Sequence, residues 1–468
     1  MLFNSPLFIL FFAAVYCLYR LTKGRRRQNV LLLAASYVFY AAWDWRFLSL
    51  ILLNTAVHFF LARRITASDR PRRRKLLLAA AVATSLCVLG VFKYWNFGVG
   101  AMAALLGAFG LRANLPTLNV ILPVGISFYT FQAIGYTVDV CRREIEPAPS
   151  ALDFTLFVSF FPQLVAGPIE RARDLLPQLE RPRGVTREDV RLGLWWLALG
   201  YFKKVVLADT LAPFVDYAFA NPDVVGGVTS LAGIVGFAVQ IYGDFAGYSM
   251  IARGLARLMG IRLVENFRMP YLATDPRDFW RRWHVSLSTW LRDYVYIPLG
   301  GSRSGRARTL VSVMATMLLG GLWHGAGWNF VIWGAYHGAL LAVWRVFEPG
   351  GRPENIPLAR RVVRTSITFL LVLFGWLIFR APSLDAMVSI LANIAGDLRW
   401  TVEAGRYLLP AAALLCLLLA YHVWLEKKGD ACALARTGRG VRVGAFAFLV
   451  IATVAVGFRA TPFIYFQF

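Results

Sequence analysis

Apolar residues in this chain come in long, nearly uncharged runs, and short basic clusters separate them. The first run, about Leu7 to Tyr19, ends in Arg20, Lys23, Arg25, Arg26 and Arg27. Runs at about 29–43 and 46–62, hinged at Trp43-Asp44-Trp45, lead to a second cluster from Arg63 and Arg64 to Arg70–Lys75. A run at about 76–93 reaches an outer segment at Lys93-Tyr94-Trp95-Asn96, and one at about 118–140 returns to Arg142 and Arg143. Further runs fall near 190–206, 229–250, 366–380, 408–424 and 441–457, with a linker near 349–363. Roughly 20 apolar helical residues cross a hydrocarbon core of about 30 Å. The pattern therefore predicts an all-α polytopic membrane protein, a single integral membrane domain over 1–468. Basic clusters mark the cytoplasmic side, which puts both termini outside, including an aromatic tail at 458–468. The first run reads as a retained helix, since no Ala-x-Ala cleavage pattern follows it.

Two stretches depart from this pattern. Segment 152–170 is apolar but holds Pro162 and Gly167-Pro168, which break backbone hydrogen bonding. Broken backbone at membrane depth survives only where protein or a water-filled cavity surrounds it. Residues 262–308 are amphipathic, aromatic and arginine-rich. Asp275-Pro276 reads as a helix start, with Asp275 as N-cap. On the helix that follows, Trp280, Trp283, His284, Leu287 and Leu291 share one face by i, i+3, i+4 spacing. Such a helix suits the cytoplasmic membrane surface with His284 turned inward.

Composition agrees with a membrane class: 58% of the 468 residues are apolar and 16% charged, against about 25% charged in soluble domains. A formal net charge of +24 raises nucleic acid as a partner, but the arginines sit between apolar runs and no nucleic-acid motif accompanies them. Cys17, Cys87, Cys141, Cys416 and Cys432 show no ligand spacing, so neither disulfide nor metal is expected.

Candidate chemistry lies with the histidines. A titratable ring at membrane depth marks function by default. His324 stands in the apolar run Met317–Phe330 among Gly320, Gly321, Gly325 and Gly327. Trp323 and Trp328 would wall a narrow passage, and Asn329 adds a polar group. An imidazole in a dry slot suits abstraction of a hydroxyl proton, and an acyl thioester needs little more than such a base and orientation. Asp244, between Tyr242 and Tyr248, is a further intramembrane charge, functional unless a partner makes it structural. Arg281, Arg282 and Arg303, with Arg306 and Arg308, could attract the phosphates of coenzyme A or of a carrier-protein pantetheine arm. The plainer reading of these arginines is topology alone. His58, His337 and His422, with nothing convergent nearby, read as structural.

Three motifs, Phe279-Trp-Arg-Arg-Trp-His284, Leu291-Arg-Asp-Tyr-Val-Tyr-Ile-Pro-Leu-Gly-Gly301 and Leu322-Trp-His-Gly325, resemble those of the membrane-bound O-acyltransferase superfamily. Ile121–Gln132, Phe161–Pro168 and Ile241–Tyr248 are similar to its bacterial branch, which acetylates exported polysaccharides. The resemblance implies a ring of transmembrane and re-entrant helices around a thin core with a central tunnel. It matches His324 to the catalytic histidine and His284 to the second motif histidine, with Trp283 in support. It further implies a cytoplasmic donor, acetyl-CoA or an acyl-carrier thioester, and no tightly bound cofactor. An exported polysaccharide would be reached through periplasmic SGNH-hydrolase-like partners, from a bacterial inner membrane. The tail Phe463-Ile-Tyr-Phe-Gln-Phe468 resembles an aromatic terminal motif of such systems, which would make Tyr465 an acyl relay; interface anchoring is the alternative. Two other functions fit in part: D-alanyl transfer to teichoic acid, and export of glycan or lipid without chemistry.

Overall fold

The computed structural model describes residues 1–111, 115–119, 121–348, 356–458, 461, 463 and 464, apart from the side chain of Glu403. Among them every regular element is helical. Seven helical stretches are long and apolar enough to cross a bilayer: Arg25–Thr66, Pro71–Ala108, Gly227–Leu258, Trp328–Phe347, Leu358–Arg380, Ala404–Lys428 and Arg439–Val456. The chain is a multi-pass membrane protein. Its described residues gather into two compact units: 1–189 with 255–264 and 325–327, and 190–254 with 265–324 and 328–468.

The first unit holds α1 (Pro6–Leu21), α2 (Arg25–Asp44), α3 (Leu48–Thr66), α4 (Pro71–Leu89), α5 (Trp95–Ala108), α6 (Ile126–Arg142), α7 (Ala151–Ser159), α8 (Phe161–Leu164) and α9 (Ala172–Glu180). Helix α1 starts where Ser5 Oγ accepts the Phe8 N–H, with Pro6 in the first turn. His58 staples α3, α4 and α6: Nδ1 shares a hydrogen bond with Thr137 Oγ1 (2.6 Å) and Nε2 with Ser85 Oγ (2.8 Å). This is the structural histidine expected. The broken segment is α7, a kink at Phe160, and α8. Gln132 and Gln163 both donate to the freed Phe157 carbonyl at 2.8 Å, so buried protein groups close the break as a membrane interior requires.

The second unit holds α10 (Arg187–Tyr201, from residue 190), α11 (Thr210–Ala220), α12 (Gly227–Leu258, to residue 254), α13 (Pro276–Arg282), α14 (Val285–Leu291), α15 (Arg306–His324), α16 (Trp328–Phe347), α17 (Leu358–Arg380), α18 (Leu384–Gly396), α19 (Val402–Lys428) and α20 (Arg439–Val456). A Cβ on Gly247 would lie 2.8 Å from the Gly200 carbonyl, and one on Gly243 2.9 Å from that of Lys203. Backbone contact along α12 therefore depends on glycine.

Three expectations change. The amphipathic helix starting at Asp275, whose Oδ1 does accept from the N–H of Arg277 and Asp278 at 2.9 Å, does not run on to Leu291. It stops at Trp283, and His284 takes a left-handed backbone (φ 43°) before α14. The apolar run around His324 forms two helices, α15 and α16. Helices α5 and α18 occupy stretches not expected to be helical. The expected linker at 349–363 shortens, since α17 begins at Leu358, and residues 349–355 lie outside the described residues.

Candidate active site

Helices α15 and α16 form an antiparallel hairpin whose closeness is set by glycine. A Cβ on Gly321 would overlap the Phe330 carbonyl and lie 3.1 Å from Gly334 Cα; one on Gly334 would lie 2.5 Å from the Met317 carbonyl. No side chain separates the two backbones there. The hairpin presents His324, the last residue of α15, to the interior, where it is 4% exposed. Three rings stand edge-on to its imidazole: Trp323 (5.0 Å between centroids), Trp333 (5.0 Å) and Phe379 (5.3 Å).

The α13–α14 break delivers the second histidine to the same place. Trp283 N–H closes α13 on the Phe279 carbonyl (2.8 Å). Asn266 then receives the next turn: its carbonyl accepts the Val285 N–H (3.0 Å) and its Oδ1 the Ser286 N–H (3.2 Å). His284, fully buried, packs edge-on to Phe245 (4.6 Å) and to Trp323 (5.6 Å). Trp323 is thus a shared wall between the two histidines. Burial pushes His284 down to about 3, so its ring is neutral at ordinary pH.

A cavity of about 230 Å³ opens at His324 and not at His284, lined also by Trp333, Gly320, Arg277, Arg292 and Arg345. From Trp333 to Arg345 along α16 is twelve residues, roughly 18 Å at 1.5 Å per residue.

The remaining candidates divide. Trp283 is buried against Phe267 (5.0 Å) and Trp376 (4.8 Å), behind His284. Asn329 donates to the Phe379 carbonyl (3.3 Å), and Trp328 is 58% exposed instead of buried beside Trp323. Asp244 pairs with Lys204 (2.8 Å), which also pairs with Asp209 (2.9 Å). Arg282 donates to Asp278 and Glu426, both at 3.1 Å, and Arg281 and Arg303 are exposed; these arginines do not line the cavity. Arg277, Arg292 and Arg345 line it in their place. Arg277 stands one turn before Trp280 on the same face, a signal present in the spacing; Arg292 stands in the motif Leu291–Gly301, and Arg345 carried no signal. His337 packs among Trp333 (4.7 Å), Trp280 (5.2 Å) and Phe279 (6.2 Å). Gly375 leaves room for it, since a Cβ there would be 2.7 Å from Nε2. Tyr465 lies outside the described residues.

Fold and site define a class: a polytopic membrane protein, helical in its described residues, with a buried histidine at a cavity that takes in three arginines. Comparison with known proteins gives the particular one. The profile of MBOAT, the membrane-bound O-acyltransferase family, matches residues 141–384. A protein of Azotobacter vinelandii named "Probable alginate O-acetylase AlgI" is 43% identical over 426 residues, 90% of this chain and 84% of that one. The "Peptidoglycan O-acetyltransferase" of Helicobacter pylori is 34% identical over 429 residues, 85% and 80%. The "Teichoic acid D-alanyltransferase" of Bacillus subtilis is 28% identical over 320 residues, 65% and 77%. The chain belongs to the membrane-bound O-acyltransferase family and is an O-acyltransferase.

Proposed function

We propose that the protein takes an acetyl group from a cytoplasmic thioester, acetyl-CoA or an acyl-carrier, and passes it outward for O-acetylation of an exported polysaccharide. The observation that carries this reading is His324 lining a cavity that also exposes Arg277, Arg292 and Arg345. Likeness to proteins named for O-acetyl transfer to alginate and peptidoglycan supports a glycan as final acceptor. Acetyl is favoured over D-alanine because the O-acetylase named above is matched at 43% and the D-alanyltransferase at 28%.

In the proposed step His324 removes the proton of an acceptor hydroxyl as its oxygen attacks the thioester carbonyl. The carbon–sulfur bond breaks, and the departing thiolate takes that proton back from the imidazolium. His284 acts through Trp323, holding the indole that walls His324. The acceptor hydroxyl belongs to Tyr465 as a relay or to a periplasmic SGNH-hydrolase-like partner. The membrane is the inner membrane, with basic loops in the cytoplasm and both termini in the periplasm.

The test is the acetyl content of secreted polymer from cells carrying His324→Ala, at matched membrane level of the protein. Normal polymer yield with acetyl groups lost by at least ~10²-fold is expected. Unchanged acetylation would overturn the role of His324, and lost secretion would point to an exporter. Tyr465→Phe in the same assay abolishes acetylation if the relay operates, and leaves it intact if the tail is only an anchor.

A further inference from the structure

Asp244 has a second partner besides Lys204. Its Oδ2 accepts the backbone N–H of Ile464 at 2.6 Å. One residue earlier, the ring of Phe463 packs on Tyr248 (4.9 Å) and Phe245 (5.6 Å), and both Phe463 and Ile464 are 1% exposed. Phe245 is the ring that lies edge-on to His284. One turn of α12, from Asp244 to Tyr248, thus holds Phe463 and Ile464 and, through Phe245, also touches a site histidine.

A carboxylate inside a membrane protein is costly unless charge and hydrogen bonds meet it. Lys204 supplies the charge, yet Asp209 already stands 2.9 Å from that lysine. The ammonium would therefore keep a partner without Asp244. What Asp244 alone provides is an acceptor for the Ile464 N–H. From this we infer that Asp244 is a positioning residue: with Phe245 and Tyr248 it forms a seat for the C-terminal segment and sets that segment at the His284 side of the site. The donor cavity includes His324 and none of these seat residues, so donor and tail meet the histidine pair through different side chains. The inference rests on the acyl-transfer reading above and gives the acceptor step its geometry.

Two variants remove the bond from opposite ends. Asp244→Ala deletes the acceptor and leaves Lys204 paired with Asp209. Ile464→Pro deletes the donor and leaves the ion pair intact; Ile464→Val, which keeps the N–H, is the control. Purified protein is compared by hydrogen exchange in the peptide from residue 458 onward, and by equilibrium binding of acetyl-CoA. Cells are compared by polymer acetyl content at matched protein level. Expected in both variants is tail exchange at least ~10-fold faster and acetyl content at least ~10-fold lower, with acetyl-CoA binding within about twofold of wild type, an outcome a collapsed core would not give. Unchanged tail exchange overturns the seat. Faster exchange with normal acetylation overturns the positioning role, and weakened acetyl-CoA binding reduces Asp244 to a structural residue. If wild-type protein acetylates no polymer, the functional reading fails by itself, and the exchange comparison still decides the seat.

Discussion

His284 holds the left-handed backbone at which α13 gives way to α14, a conformation Asn tolerates and branched residues resist. That bend lets one buried imidazole meet Phe245 and Trp323 together. With its folded value pushed down to about 3 from the ordinary 6.5 by burial, His284 binds fewer protons folded than unfolded between those limits. Stability from this residue is thus complete above pH 6.5 and falls as pH drops toward 3. Thermal unfolding in detergent should show a midpoint that falls between pH 7 and pH 5, with a shallower slope in His284→Asn; equal slopes would contradict the burial argument. His324 was legible in the sequence because a polar ring in an apolar run stands out, and His284 through its helical spacing after Asp275 and the motif around it. The arginines at the cavity were legible as a class and not by position. Nearness to His284 in the chain favoured Arg281 and Arg282, whereas Asp278 and Glu426 hold Arg282 elsewhere. Asp244 announced itself, but the lysine that meets it sits in an apolar run read simply as a span.

Among the elements, the α15–α16 hairpin presents His324, and its closeness is testable. A Cβ on Gly321 meets backbone, the Phe330 carbonyl and Gly334 Cα, while one on Gly320 meets only Leu291 Cδ1 at 3.1 Å, the end of a flexible side chain. Gly321→Ala should cost about 1–3 kcal/mol as an overpacked contact, lower the unfolding midpoint, and reduce acetyl transfer by moving Trp333 from His324. Gly320→Ala should leave the midpoint nearly unchanged. If the two variants melt alike, the backbone contact is not what sets the hairpin. Long spans were legible from apolar length alone. The break at Trp283 and His284 was not, because i, i+3, i+4 spacing continues through it and the groups that stabilise the next turn belong to Asn266, far upstream. The glycines around His324 were legible as a place where backbones can approach closely, and the hairpin uses Gly321 in that way.

For the molecule as a whole, the basic clusters predict an orientation that fusions can check. Alkaline phosphatase inserted at Arg70 or Asp430 should be inactive, and at Leu398 active; the reverse pattern would turn the protein over. Multi-pass character and family were both readable from the chain, because apolar length and short motifs are local properties. The seat at Asp244 was not, since 220 residues separate the two ends of its hydrogen bond. One consequence concerns the company the protein keeps in its bilayer. Arg281, Arg292, Arg303, Arg306 and Arg308 are all exposed along one stretch, and Arg292 also lines the cavity. Basic residues at a cytoplasmic surface gather anionic head groups at about 1 kcal/mol each. In the proposed reaction, leaflet lipid and phosphorylated donor then compete for the same guanidinium, and a leaflet richer in anionic lipid slows acyl loading with no change to the histidines.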